Sequence, residues 1–293
     1  MNKTTVYRLG QIDQELIYKF IDAALAEDVG DGDHTTLSTI PEDAPDAAHL
    51  LVKENGVIAG VELATMIFNR VDPQLKVNVE IQDGTFVQRG DIVLRVHGKA
   101  RSITIAERLV LNCMQRMSGI ATHTQELVTL LQGFNTKVID TRKTTPLFRY
   151  FEKWAVRIGG GANHRFGLYD MILIKDNHVD YAGGIKNAID RAHDYLVKEN
   201  KNLKIEVEVR NLDELEQALN TGKIHRIMLD NFSPVLLHQA IRRINKQYET
   251  EASGGITAET IRAYAETGVD FISVGALTHH VNSLDLSLKA TRA

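Results

Sequence analysis

Cysteine is nearly absent from this chain of 293 residues. Cys113 stands alone, so no intrachain disulfide and no cysteine-built zinc or iron–sulfur site can form. It falls in an apolar helical run, where a small buried hydrophobe is expected rather than a reactive thiol. Proline (five) and tryptophan (one) are also scarce, and so few prolines leave little room for a linker or a low-complexity tract. No apolar run approaches the ~20 residues that span a bilayer, and Met1–Gly10 lacks the apolar stretch of a secretory leader. The expectation is a cytoplasmic protein with no membrane partner. An excess of positive charge is missing too: 34 Lys and Arg against 38 Asp and Glu leave −4, which argues against nucleic-acid binding.

What remains is an ordinary globular composition, 43% hydrophobic and 25% charged. The length fits roughly two domains, or one barrel with an appendage. A chain of this size hides about three quarters of its unfolded surface, so its core needs no staples. The charge is unevenly spread. From Lys137 to His178 eight Lys and Arg face four Asp and Glu, a local +4 that leaves −8 for the rest. Such a run is ordinarily a solvated face. Here the cations interleave with Gly159-Gly160-Gly161 and apolar strand-like segments, which favours a small anionic ligand.

Leu16, Ile17, Phe20, Ile21, Ala24 and Leu25 recur at helical spacing and predict a helix over 13–27. Strands are expected at Leu50–Lys53, Val77–Ile81 and Ile92–Val96, with Asp83-Gly84 as a tight turn. Helical patterns follow over 102–117 and 119–132. Residues 1–116 read as an α/β domain with a largely antiparallel sheet, completed by a C-terminal segment over 277–293. From 136 the pattern changes. Apolar strand candidates recur at Lys137–Asp140, Met171–Lys175, Lys204–Val209, Arg226–Asp230, Glu251–Ser253 and Asp270–Val274. Helical runs at Ala182–Lys198, Leu212–Leu219, Val235–Tyr248 and Ala258–Glu266 separate the later ones, as consecutive βαβ units require.

The choice between a doubly wound sheet and a (β/α) barrel turns on polar residues. Asp140, Lys175, Glu208, Asp230, Ser253 and Gly275 all sit at or near strand C-terminal ends. Groups from so many strand ends converge only if the strands form a ring, so 117–276 is expected to be a barrel. Ser253-Gly254-Gly255 and Val274-Gly275-Ala276 are the last two such loops, where barrels often bind phosphate, with Thr257 as the cap of the next helix. A plain Gly-rich turn is the other reading. Glu208 and Asp230 at successive strand mouths could hold Mg²⁺ on a diphosphate or stabilise a developing cation. Glu206 projects to the same strand face as Glu208, so position alone does not say which glutamate acts. Thr141-Arg142-Lys143, His164-Arg165 and Lys175 form a basic lining suited to a substrate with two carboxylates. The acidic stretch Glu27–His34 lacks calcium-loop spacing and reads as a helix-terminating turn, and His279-His280 has no third ligand to make a metal site.

Three blocks carry a family resemblance: Asp140-Thr141-Arg142-Lys143-Thr144-Thr145-Pro146, Gly159 through Asp170, and Ile174-Lys175-Asp176-Asn177-His178. They resemble the quinolinate phosphoribosyltransferases, and the likeness extends to Glu27–Thr36, Ala106–Thr122, Leu229-Asp230-Asn231 and Ser273–His279. The resemblance implies an N-terminal α/β sandwich with an incomplete α/β barrel, assembled as a homodimer whose sites are composite. It implies that quinolinate and phosphoribosyl diphosphate (PRPP), with Mg²⁺, give nicotinate mononucleotide, diphosphate and CO₂. Quinolinate would then meet Arg108 of the neighbouring subunit, Arg142, Lys143, His164, Arg165 and Lys175. Glu208 and Asp230 would serve the ribose and metal–diphosphate side. The 5′-phosphate would rest on Ser253, Gly254, Gly255 and Gly275. Two departures stand out: Leu147-Phe148 replaces the usual Gly-Leu, and the Asn220–His225 stretch is one residue longer.

Rival readings are a sister phosphoribosyltransferase using nicotinate, a molybdenum-transport-associated pyrophosphorylase, and a Schiff-base aldolase built on Lys175. A non-catalytic phosphate-binding module is a fourth.

Overall fold

The structure, a computed structural model, describes residues 13–291, so Met1–Gly10 lies outside it. It divides into two compact units. One comprises the chain to Gln125, Thr144–Gly160 and Thr278 onward; the other comprises Glu126–Lys143 and Gly161–Leu277. These bounds differ from the expected ones at 116 and 276, and the excursion over 144–160 was not expected.

In the first unit, α1 (Gln14–Val29) begins where the Asp13 carboxylate accepts the Leu16 N–H, and it ends at Gly30, whose φ of 56° suits a glycine. Asp33 in turn caps α2 (His34–Thr39) by accepting the Thr36 N–H. The Glu27–His34 stretch is therefore a helix stop, as expected, and also the start of a short helix that was not. There follow β1 (Pro45–Val52), β2 (Gly56–Val57), α3 (Val61–Val71), β3 (Lys76–Val79), β4 (Phe86–Val87) and β5 (Ile92–Lys99). The C-terminal strand Leu286–Ala290, β1, β5 and β3 form an antiparallel sheet in that order. Ala48, Leu50 and Val52 alternate into its core, as period two requires.

The two helices expected over 102–132 are one, α4 (Ala100–Leu130). Ser118 and Gly119 looked like a break, but each makes a close contact. Ser118 Oγ accepts the Ala59 N–H and donates to the Ala59 carbonyl. A Cβ on Gly119 would stand 2.1 Å from the Asn282 carbonyl oxygen. After β6 (Lys137–Ile139) the chain returns to the first unit as α5 (Arg149–Ile158). Glu152, fully buried on α5, explains that return. It accepts from Arg116 at 2.9 Å and from the Thr145 N–H and hydroxyl at 3.0 and 2.8 Å. Arg116 also donates to the Thr278 carbonyl, so three distant segments share one buried ion pair. Phe148 and Phe151 stack with Phe20 nearby.

The second unit continues with β7 (Ile172–Ile174), α6 (Asp176–Ala182), α7 (Ile185–Lys198), β8 (Ile205–Val209) and α8 (Leu212–Thr221). It goes on through β9 (Arg226–Asp230), α9 (Pro234–Ile244), β10 (Glu249–Ser253), α10 (Ile261–Ala265) and β11 (Phe271–Ser273), and the short α11 (Ala276–His279) carries the chain back to the first unit. The C-terminal strand is β12 (Leu286–Ala290). All six expected strands are present, and they pair in parallel in the order β6-β11-β10-β9-β8-β7. That order is a ring in sequence order with one ladder missing, between β6 and β7. The unit is an incomplete barrel, not a doubly wound sheet. Helix ends differ in detail. Gly183 and Gly184, at φ 80° and 121°, separate α6 from α7, and Asn245 in the left-handed region stops α9 before the expected Tyr248. Thr257 does not cap α10, because a turn intervenes and Thr260 takes that position.

Candidate active site

Parallel strands put all their C-terminal ends on one rim. Lys175 follows β7, Glu208 lies near the end of β8, Asp230 and Ser253 close β9 and β10, and Val274 follows β11. Thr141, Arg142 and Lys143 leave β6 at the same rim.

Asp140, fully buried, organises the basic side. It accepts the His164 N–H at 2.9 Å and an Asn163 side-chain N–H at 2.5 Å. This fastens the segment carrying His164 and Arg165 to the end of β6. Thr141 Oγ1 accepts the Lys143 N–H and shapes the turn that exposes Lys143. Arg165 is half-buried and donates to the Met171 carbonyl. Burial lowers its pKa from the ordinary value, and so does the neighbouring Arg142 guanidinium. Arg142 Nε is buried without a hydrogen-bond partner. Two like charges held together with an orphaned donor make a strong demand for an anion.

The carboxylate side is distinct. Lys175 Nζ stands 3.4 Å from Glu208 Oε2. Burial raises the Glu208 pKa, Lys175 opposes that rise, and the charge of Asp230 adds to it, so the two carboxylates are neighbours. Asn231 donates to Asp230 at 2.6 Å. Glu206, the alternative left open by its strand face, lies deeper in the barrel. It is fully buried, with Oε2 3.1 Å from His164 Nε2, while Glu251 Oε2 is 3.4 Å from the same nitrogen.

The glycine loops differ from one another. A Cβ on Gly254 would stand 2.2 Å from Asn231 Oδ1, so the close approach of the two strand-end loops requires glycine there. Gly255, at φ 60°, has open space where its Cβ would be. Ser253 accepts the Asn231 N–H through its carbonyl. Val274 donates its N–H to Ile139, and Gly275 leads into α11 at Ala276. The helix that follows Gly255 is only five residues long, so its dipole is small and the loop amides are the main donors for an anion.

Arg108 belongs to the first unit. It is exposed on α4 with Thr104 and Asn112 on the same stripe, and it has no ion pair or hydrogen bond among the described residues. In the barrel, the buried Glu251 and the largely buried Arg226 escaped the sequence reading. The signal was available: Arg226 opens the apolar run of β9, and Glu251 lies within β10 at the alternation that points inward. Among the described residues His164, Glu206 and Glu251 also form a compact set of metal-type ligand atoms, all within 4.8 Å of one another. Among the described residues, no helix is long and apolar enough to cross a membrane.

Residues 120–289 match the family described as quinolinate phosphoribosyl transferase, C-terminal domain, and residues 33–118 match its N-terminal domain. A chloroplastic nicotinate-nucleotide pyrophosphorylase (carboxylating) of Oryza sativa is 49% identical over 284 residues, covering 92% of this chain and 76% of the relative. A quinolinate phosphoribosyltransferase (decarboxylating) of Nicotiana tabacum is 47% identical, covering 92% and 81%. Among solved structures, the nicotinate-nucleotide pyrophosphorylase from Francisella tularensis superposes with a TM-score of 0.89 at 39% identity, over 98% of this chain and all of that one.

Proposed function

The chain belongs to the quinolinate phosphoribosyltransferase family, and we infer from this how its own residues carry the family's reaction. The enzyme transfers the phosphoribosyl group of PRPP to quinolinate, releasing diphosphate and CO₂ and leaving nicotinate mononucleotide. The observation that carries the residue assignment is the Arg142–Arg165 pair. Two half-buried cations with an unpartnered N–H match a planar acid with two carboxylates.

In this reading Arg142, Arg165 and Lys175 grip quinolinate, with Lys143 exposed beside them, His164 supporting from below and Arg108 reaching in from a second subunit. That assigns a homodimer with composite sites. The 5′-phosphate rests on the amides of Ser253, Gly254, Gly255 and Gly275, flanked by Val274 and Ala276, and the open side of Gly255 leaves room for it. Departure of diphosphate leaves positive charge on the ribose, and the Glu208 and Asp230 carboxylates stabilise it. Attack by the ring nitrogen makes that nitrogen cationic. The adjacent carboxylate then leaves as CO₂, its bonding pair stays on the ring carbon, and that carbon takes a proton.

Mg²⁺ is part of the proposal. The neighbouring Glu208 and Asp230 carboxylates offer the hard oxygen donors this ion takes, and Lys175 offsets part of their charge. They would hold it, and it would neutralise the leaving diphosphate. The ion pair of Lys175 with Glu208 is the opposite of the apolar pocket that a Schiff-base lysine needs, which tells against an aldolase. Residence in the cytoplasm is a proposal resting on the sequence expectation alone.

The test is formation of nicotinate mononucleotide from quinolinate, PRPP and Mg²⁺, with nicotinate as the competing substrate. Glu208→Ala and Asp230→Ala should each lower kcat by roughly 10²–10³ and still bind quinolinate. An unchanged kcat in both variants would overturn the assignment.

A further inference from the structure

We propose that Glu206 and Glu251 are positioning residues for the quinolinate pocket: they hold His164 in the tautomer that locks the backbone of Arg165. The inference rests on the reading of Arg165 as a substrate contact. Ionisable side chains inside barrel strands are costly unless paired, so these two glutamates call for a physical reason.

His164 is buried and both of its ring nitrogens face protein. Nδ1 accepts the Arg165 N–H at 2.7 Å, so Nδ1 carries no hydrogen. In the neutral ring the proton must then be on Nε2, the nitrogen that faces Glu206 Oε2 at 3.1 Å and Glu251 Oε2 at 3.4 Å. Neither approach is aligned as a hydrogen bond, so the glutamates act on Nε2–H through their electrostatic field: negative charge at that place stabilises the tautomer and disfavours its alternative, in which an Nδ1–H would oppose the Arg165 N–H. The lock runs in series. Asp140 holds the His164 backbone, His164 holds the Arg165 backbone, and the Arg165 guanidinium is aimed by its bond to Met171.

Arg226 of β9 completes the cluster. It donates to Glu251 at 3.1 Å and to Glu249 at 3.1 and 3.3 Å, and its guanidinium lies 4.0 Å from the centre of the Phe271 ring. Glu251, on β10, is thus anchored from one side by Arg226 of β9, while Glu206, on β8 at the other flank of β9, makes the shorter approach to His164. The same tautomer argues against a cation among His164, Glu206 and Glu251. A metal would need a lone pair on Nε2, where the ring presents a hydrogen.

The discriminating pair of variants is Glu206→Met, which removes the acceptor at similar volume, and Glu206→Gln, whose amide oxygen can still face Nε2–H. Glu206→Met should raise KM for quinolinate about tenfold, the scale of one buried polar contact, with kcat and the PRPP KM within about twofold. Glu206→Gln should stay within about twofold of the parent. Nitrogen-15 NMR of histidine-labelled protein should show His164 as a single Nε2–H tautomer in the parent and the Gln variant, and as a mixture in the Met variant. Should Glu206→Met fail to fold, Glu206→Asp, which withdraws the carboxylate by one methylene, should raise the quinolinate KM about threefold by the same logic. A quinolinate KM unchanged in the folded variant that lacks the acceptor would overturn the positioning role. An Arg165→Ala enzyme with undiminished quinolinate affinity would overturn the pocket reading beneath it, and this inference with it.

Discussion

The ammonium of Lys175 stands 3.4 Å from the Glu208 carboxylate, across two neighbouring parallel strands. The lysine is half exposed and the glutamate buried, so the pair joins the wet and dry sides of the rim. It also joins the two halves of the proposed chemistry, because Lys175 serves the acid substrate and Glu208 the ribose.

Lys175→Ala should therefore weaken quinolinate binding by about 2–5 kcal/mol, the range for a buried carboxylate that loses its partner. PRPP binding should change far less. Calorimetric titration of each ligand separately decides the matter, and equal losses would place Lys175 elsewhere.

Stability should depend on pH through Glu251. Burial, and then the charge of Glu206, push its carboxyl up to about 8, above the ordinary 4.5. The folded state thus binds this proton more tightly than the unfolded chain. The stabilisation is complete below about pH 4.5 and is lost as pH rises through 8. Urea midpoints should fall across that window, and the fall should be shallower in Glu251→Gln. Parallel curves for the two proteins would contradict the shift.

A composite site predicts complementation. Arg108→Ala and Lys143→Ala enzymes should each be nearly inactive. Unfolded and refolded together, about half of their dimers should be hybrids with one intact and one doubly damaged site, restoring roughly a quarter of the parent activity. If both residues served one site from the same chain, the mixture would remain inactive.

Leu147 has a φ of 63° and is 95% exposed, so it bears left-handed strain with almost no packing in return. Glycine, the residue that the family resemblance implies at this place, would avoid that strain. Leu147→Gly should gain about 0.5 kcal/mol, since relief of ~1–2 kcal/mol outweighs glycine's entropy loss of ~0.5–1 kcal/mol. Leu147→Ala should gain nothing. Thermal unfolding of the two variants separates these outcomes.

The barrel was legible because most of its strands are short apolar runs with a polar residue at or just beyond the end, and a ring is what makes such endings meaningful. The first unit was harder to read. α5 carries Glu152 and Lys153 among its buried residues, which spoils the apolar periodicity that would have announced it. β12 pairs with β1 from more than 230 residues away; the return of the C-terminal segment to this domain was expected, but no local pattern encodes its strand or its register. In α4, Ser118 and Gly119 resembled a stop because their contact partners, Ala59 and Asn282, are remote in sequence. In the candidate site, period-two alternation put Glu206 and Glu208 on one face, and only packing separates the deeper from the shallower. Arg226 and Glu251 went unread because their purpose emerges only when β8, β9 and β10 lie side by side.

The missing ladder of the barrel has a consequence for solubility. β6 is three residues long and has β11 on one flank only. On its other flank Ala162 donates its N–H to Val138 at 2.9 Å and accepts the Asp140 N–H at 3.2 Å. One residue thereby occupies the hydrogen-bonding positions that an intruding strand would use. The segment that presents His164 and Arg165 is thus also a guard on an exposed sheet edge. Substitutions that lift this segment would open a template for edge-to-edge aggregation along with any loss of turnover.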